Sequence, residues 1–310
     1  MRLGGLSRGW AIAAALLLAA LAVAGCGLGP GEEVGSVELT VSREFGAEQL
    51  LADSVEAIES DTVMRLLEGS AEIETRYGGG YVKSIEGVEE TRRGGVPYDW
   101  FFFVDGIESP VGAAEYPLRG SERIWWDYRD WKATNHVPAV VGSWPAPFSD
   151  GYEGERHPVV VECEGGGVEE ACAEVEAALA DEGVKLARGR PDDAIRVLVG
   201  RWAALRRDSA AAQLEGGPAD SGVYASFEPT TGGGYGLVGL DVDGEPAHRF
   251  DADAGLVAAT RELEAPPVWL VTGATPAAVQ AAAGSLDGED LRDHYAVASE
   301  GGKVTPLPVR

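Results

Sequence analysis

Apolar and polar residues alternate from Val37 onward. Val37, Leu39 and Val41 are interleaved with Glu38, Thr40 and Ser42, the period of a half-buried strand. A second apolar segment falls at 54–58. The period then changes: Val63, Leu66 and Leu67 form a stripe that predicts a short helix over 62–68, capped by Ser60 or Asp61 and stopped by Gly69. After Gly78-Gly79-Gly80, Tyr81–Ile85 returns to strand period. Trp100-Phe101-Phe102-Phe103-Val104 is apolar on both faces and suits a central strand, ended by the turn pair Asp105-Gly106. Arg123–Tyr128 gives one more strand. The order β-β-α-β-β-β predicts an α+β domain over 36–148, a β-sheet with one packed helix.

Residues 149–157 are polar, within a Pro- and Gly-containing stretch, and read as a linker. Beyond them strands and helices alternate, so 158–310 is expected to be an α/β domain with some parallel pairing. Val159–Glu162 reads as a strand. Val168, Cys172, Val175 and Leu179 mark a helix face. Ile195–Val199, Val223–Phe227, Leu237–Val242 and Pro267–Thr272 read as strands. Pro276 stands at the first turn of an Ala-rich helix, and Tyr295–Ser299 with Val304–Leu307 closes the chain as a hairpin.

The N-terminus follows a different pattern. Arg2 and Arg8 precede an uncharged apolar run from Trp10 to Ala24, too short to span a bilayer comfortably and of the length of a signal-peptide core. Val23-Ala24-Gly25-Cys26 resembles the bacterial lipobox. The resemblance implies removal of 1–25 and acylation of Cys26, with 26–35 as a tether to the membrane. An uncleaved anchor, or a plain signal peptide with a coincidental cysteine, is the alternative. Lipidation would place the chain on the extracytoplasmic face of the cell membrane.

Charge narrows the partners. The chain carries 25 basic and 51 acidic residues; loss of Arg2 and Arg8 with the signal leaves 23 − 51 = −28. Such a surface argues against nucleic acid, whose phosphates need Lys and Arg. Of the 3 cysteines, Cys163 and Cys172 remain after Cys26. An even pair in an exported chain is expected to form a disulfide between a strand end and the following helix.

The helix Thr62–Leu67, the segment Tyr77-Gly78 then Tyr81–Ile85, and Trp100–Gly106 fall in sequence. Ala114-Glu115-Tyr116-Pro117-Leu118 and Ile124–Tyr128 follow them. Together they resemble the transcobalamin-like C-terminal domain family, DUF4430, over about residues 37–131. Asp105 replaces the usual Asn of the turn, and Ser121 the usual acidic residue after Gly120. The resemblance implies a β-rich domain of the type that covers one face of cobalamin in transcobalamin. It therefore supports binding, with cobalamin or another corrinoid as one ligand; it says nothing about 150–310.

Aromatic residues are dense in this region, and alternate members of the strands serve a core. Tyr128, Trp131 and Trp144, at or beyond the last strand, are hardest to place in that core. Tyr77 and Tyr81 flank the Gly run. These five are the expected ligand-facing residues.

Other motifs carry less. Gly234–Gly239 matches a dinucleotide pattern but runs into a strand. Gly165-Gly166-Gly167 precedes a helix but is ringed by Glu162, Glu164, Glu169 and Glu170. Thr272-Gly273-Ala274-Thr275 is a more neutral candidate for an anion or ligand. Asp241, Asp243, Asp251 and Asp253 lack EF-hand spacing, and no histidine pair has zinc spacing, so no metal site is expected. The sequence predicts a surface-anchored, non-catalytic lipoprotein that binds a small ligand or a partner, with delivery of the ligand to a transporter as the natural consequence. The alternative is an envelope structural or protein-interaction module; an enzyme is the third reading.

Overall fold

The computed structural model describes residues 31–310, of which Glu33–Arg310 form a single unit. The expected signal segment 1–25 and the expected lipidation site Cys26 lie outside the described residues. The fold is mixed α/β and rich in sheet.

The first half contains β1 (Glu33–Arg43), β2 (Glu48–Ile58), β3 (Ile73–Arg76), β4 (Tyr81–Ile85), β5 (Val88–Glu89), β6 (Thr91–Arg93), β7 (Val96–Val104), β8 (Ile107–Glu108) and β9 (Arg123–Asp130). Five of these form a sheet in the order β2-β1-β9-β7-β6, with β8 beside β7. β1 runs parallel to β9 and antiparallel to β2. Residues 33–35, expected within the tether, belong instead to β1, where Glu33 pairs with Ile58 and Gly35 with Ala57. The helix Val63–Ser70 is capped by Thr62, whose side chain accepts from the Arg65 N–H, rather than by Ser60 or Asp61. Asp61 accepts the Ile58 N–H instead. Gly69 does not stop the helix; Leu67 and Leu66 hold its last turn on the sheet.

β1 and β9 are buried on both faces, and alternation assigns each face a partner. Val37, Leu39, Val41, Ile124, Trp126 and Tyr128 pack with the helix Val63–Ser70. Trp125 on the other face enters a core that also contains Leu198, Trp202, Tyr224, Leu256, Leu270 and Tyr295. The two halves thus share apolar packing. The segment 149–157 is not an extended linker: Gly151 and Tyr152 are buried, and Tyr152 stacks on His157 at 4.2 Å. An apolar ring in that segment is more stable under protein than in water.

The second half contains β10 (Val159–Glu164), β11 (Ile195–Arg201), β12 (Ala225–Pro229), β13 (Tyr235–Leu240), β14 (Pro246–Arg249), β15 (Gly255–Thr260), β16 (Val268–Gly273), β17 (Ala296–Glu300) and β18 (Lys303–Leu307). Its main sheet has the order β10-β11-β16-β15-β17-β18; β12-β13-β14 form a small antiparallel sheet. β10, β11 and β16 are parallel, as the strand–helix alternation implies. β15 was not apparent in the sequence. It is buried at every position, so it has no polar alternation to mark it. The helices Glu169–Asp181 and Pro276–Ala283 cover the outer face of this sheet. Cys163 and Cys172 are joined in a disulfide, with Cα atoms 6.1 Å apart, between β10 and the first of these helices.

Candidate functional site

The junction between the halves is organised by the turn after β1. Glu44, Phe45 and Gly46 all have left-handed backbones, with φ of 58°, 56° and 81°. Two of them are not glycine, so the turn stores strain that its surroundings must offset. Phe45 does so by packing edge-on against Tyr224 and Tyr295, each at 5.1 Å. The Asp127 carboxylate accepts the N–H groups of Phe45 (2.9 Å) and Gly46 (3.1 Å). It also accepts Ser42 Oγ–H at 2.7 Å and Tyr295 Oη–H at 3.0 Å. Burial raises its pKa, and these donors act against the rise.

Arg129 lies two residues along the same strand and is fully buried. Its guanidinium stacks 3.9 Å over the Phe101 ring, and Nη1 donates to the carbonyls of Asp130 and Thr134. Its Nε and Nη2, and the Tyr224 hydroxyl, have no protein partner. Burial pushes the Tyr224 phenol up to about 12.

Above this junction opens a cleft of about 580 Å³. Glu44, Phe45, Tyr98 and Asp130 wall it from the first half. Asp241, Val242, Ala247, Val309 and Arg310 wall it from the second. Tyr98 and Asp130 are cross-strand partners on β7 and β9, which explains their shared position. Asp130 is only 5% exposed. It accepts the Lys132 N–H at 3.2 Å, and burial raises its pKa. Asp241 spends one oxygen on its own turn, accepting from the Asp243 and Glu245 N–H groups. Tyr98 also borders a smaller hollow of about 290 Å³, with Asp99 and Trp131 in its wall.

The expected ligand-facing residues separate. Trp131 lines the smaller hollow. Tyr81 donates its hydroxyl to Asp99 in the same wall, and Tyr77, 87% exposed, meets the Tyr81 ring edge-on. Tyr128 and Trp144 are corrected: each is 1% exposed. Tyr128 points to the helix side of β9, lies under Tyr98 and Trp100, and donates to the Glu89 carbonyl. Trp144 belongs to the second core, against Phe148 and Trp269. Both are more favourable buried, because each ring carries a large apolar area.

The other motifs serve structure. Thr272 is fully buried and donates to the Gly200 carbonyl; Thr275 caps the helix Pro276–Ala283. Gly234 precedes β13 and Tyr235–Gly239 lie within it. Asp243 pairs with Lys132 at 2.8 Å. Among the described residues, no group of three or more His, Cys, Asp or Glu side chains could hold a metal ion.

Residues 60–130 match a family model described as a domain of unknown function, DUF4430. No curated protein matches the chain. The matched segment supplies Tyr98 and Asp130 to the cleft. Glu44 and Phe45 precede it, and the opposite wall comes from residues 241–310.

Proposed function

We propose that the chain is a surface-anchored binding protein whose ligand occupies the cleft between its halves. One observation carries this reading: both halves wall a concavity of about 580 Å³, in which apolar and aromatic side chains stand beside three carboxylates and Arg310. That volume and mixture are typical of small-molecule sites. The strained turn bearing Phe45 supports it further, since stored backbone strain gathers at binding sites.

The resemblance of the first half supports binding as the role. A corrinoid would fill this cleft and project beyond it, so a smaller ligand fits better. Cobalamin remains the natural first comparison. The anchoring reading rests on residues 1–26: Cys26→Ser would release the protein from the membrane fraction, and unchanged retention would count against a lipid anchor.

The test is a melting-temperature screen of the purified protein against small extracellular metabolites, cobalamin included. Ligands that bind only the folded state raise the melting point by mass action. Concentration-dependent stabilisation supports the reading. A flat response across the panel, confirmed by calorimetry, would overturn it and favour an envelope interaction module.

A further inference from the structure

Asp130 is a nearly buried carboxylate, 5% exposed, in the wall of the cleft. Among the described residues no ion pair reaches it. Arg129 directs Nη1 to the Asp130 carbonyl, not its carboxylate, and Lys132 pairs through Nζ with Asp243. Among the described residues, the one hydrogen bond that its carboxylate accepts is from the Lys132 N–H. Arg310, the cation on the opposite lip, is coupled electrostatically to Glu44 and Asp127.

Burying a charge without a contacting counter-charge is costly, and the cost falls when an opposite charge arrives in contact; Arg129 and Lys132 offset it without forming an ion pair. Around this carboxylate stand the rings of Phe45 and Tyr98 and the aliphatic Val242, Ala247 and Val309. Glu44 and Asp241 add negative potential from both sides, which attracts a cation and repels an anion. Aromatic walls also favour ammonium groups.

Resting on the proposal that this cleft is the binding site, we infer that its ligand is an organic cation. An ammonium or guanidinium group pairs with Asp130, and an apolar or aromatic body lies against Phe45, Tyr98 and Val242.

A matched pair of probes tests this: 4-(aminomethyl)biphenyl, cationic at neutral pH, and 4-biphenylmethanol, its neutral counterpart. Both are titrated into isotope-labelled protein and followed by amide chemical shifts. The cation is expected to bind at least about ten-fold more tightly, with shifts centred on Phe45, Tyr98 and Ala247. Asp130→Asn should bring the ratio close to one. If both probes shift cleft residues with equal affinity, or if the preference survives Asp130→Asn, the inference fails while the cleft stands. Shifts confined to other surfaces, or none, would overturn both. Should Asp130→Asn fold poorly, the wild-type ratio decides alone.

Discussion

Tyr295 Oη donates to Asp127 Oδ2 at 3.0 Å, joining the last hairpin of the chain to the central strand of the first sheet. Both residues are fully buried or nearly so. The bond ties the two halves together beneath the cleft, beside Phe45. Burial raises the Tyr295 phenol well above its ordinary range, so it remains a donor. Tyr295→Phe removes the donor and leaves the ring in place. The expected loss is about 1–2 kcal/mol, seen as a lower denaturant midpoint with an unchanged slope. A change below measurement error would mean that the bond contributes nothing to the joint.

Gly46 tests the turn itself. A Cβ there would lie 1.9 Å from the Asp293 carbonyl oxygen, in a backbone with φ of +81°. Gly183, with φ of +75°, faces open space. Gly183→Ala should cost about 1 kcal/mol from the left-handed backbone alone. Gly46→Ala must also move backbone of the second half and should cost several times more. Equal thermal shifts for the two variants would show that the turn relaxes freely.

Asp105 is expected to make stability depend on pH. It is buried, and desolvation raises its pKa to about 8, although it accepts the Arg123 N–H at 2.9 Å. A carboxyl raised on folding stabilises fully below its unfolded pKa, near 4, and that contribution is lost as pH rises through about 8. Asp105→Asn removes the ionisation, tolerates the left-handed turn at φ of 52°, and can still accept from Arg123. At pH 8 the variant should be more stable than the wild type by several kcal/mol. At pH 4 the two should converge. A constant difference across that range would show that Asp105 does not hold its proton.

The Cys163–Cys172 disulfide closes a loop with a sequence separation of 9. Loop-closure entropy for such a span is about 2–3 kcal/mol. Reduction should lower the melting point accordingly without removing the shared core. The check is a calorimetric scan with and without reductant; an unchanged melting point would contradict the bridge's contribution.

The periodic part of this fold was legible in the sequence. The alternation of Val37–Val41, the stripe of Val63, Leu66 and Leu67, and the Asp105-Gly106 turn each report local geometry that one stretch of chain fixes. β15 was hidden because Leu256, Val257, Ala258 and Ala259 are buried on both faces. The cleft was hidden for another reason. Tyr98 and Asp130 lie just past the expected strand ends, where Pro97 and Asp99 interrupt the apolar run. Phe45 and Val309 meet only through tertiary packing, which no local pattern encodes. Tyr128 and Trp144 misled because an aromatic at or beyond the end of a strand looks exposed until a second layer covers it.

Ala247 offers the most direct test of the cleft as the ligand site. It is exposed on β14 and lines the cavity, so Ala247→Trp fills the space with little effect on the core. The measurement is a calorimetric titration, run side by side on the wild type and Ala247→Trp, with the small molecule that most raises the melting point. The account predicts saturable heat with the wild type and none with the variant, at equal melting points of the free proteins. Equal binding to both would place the ligand elsewhere and contradict it.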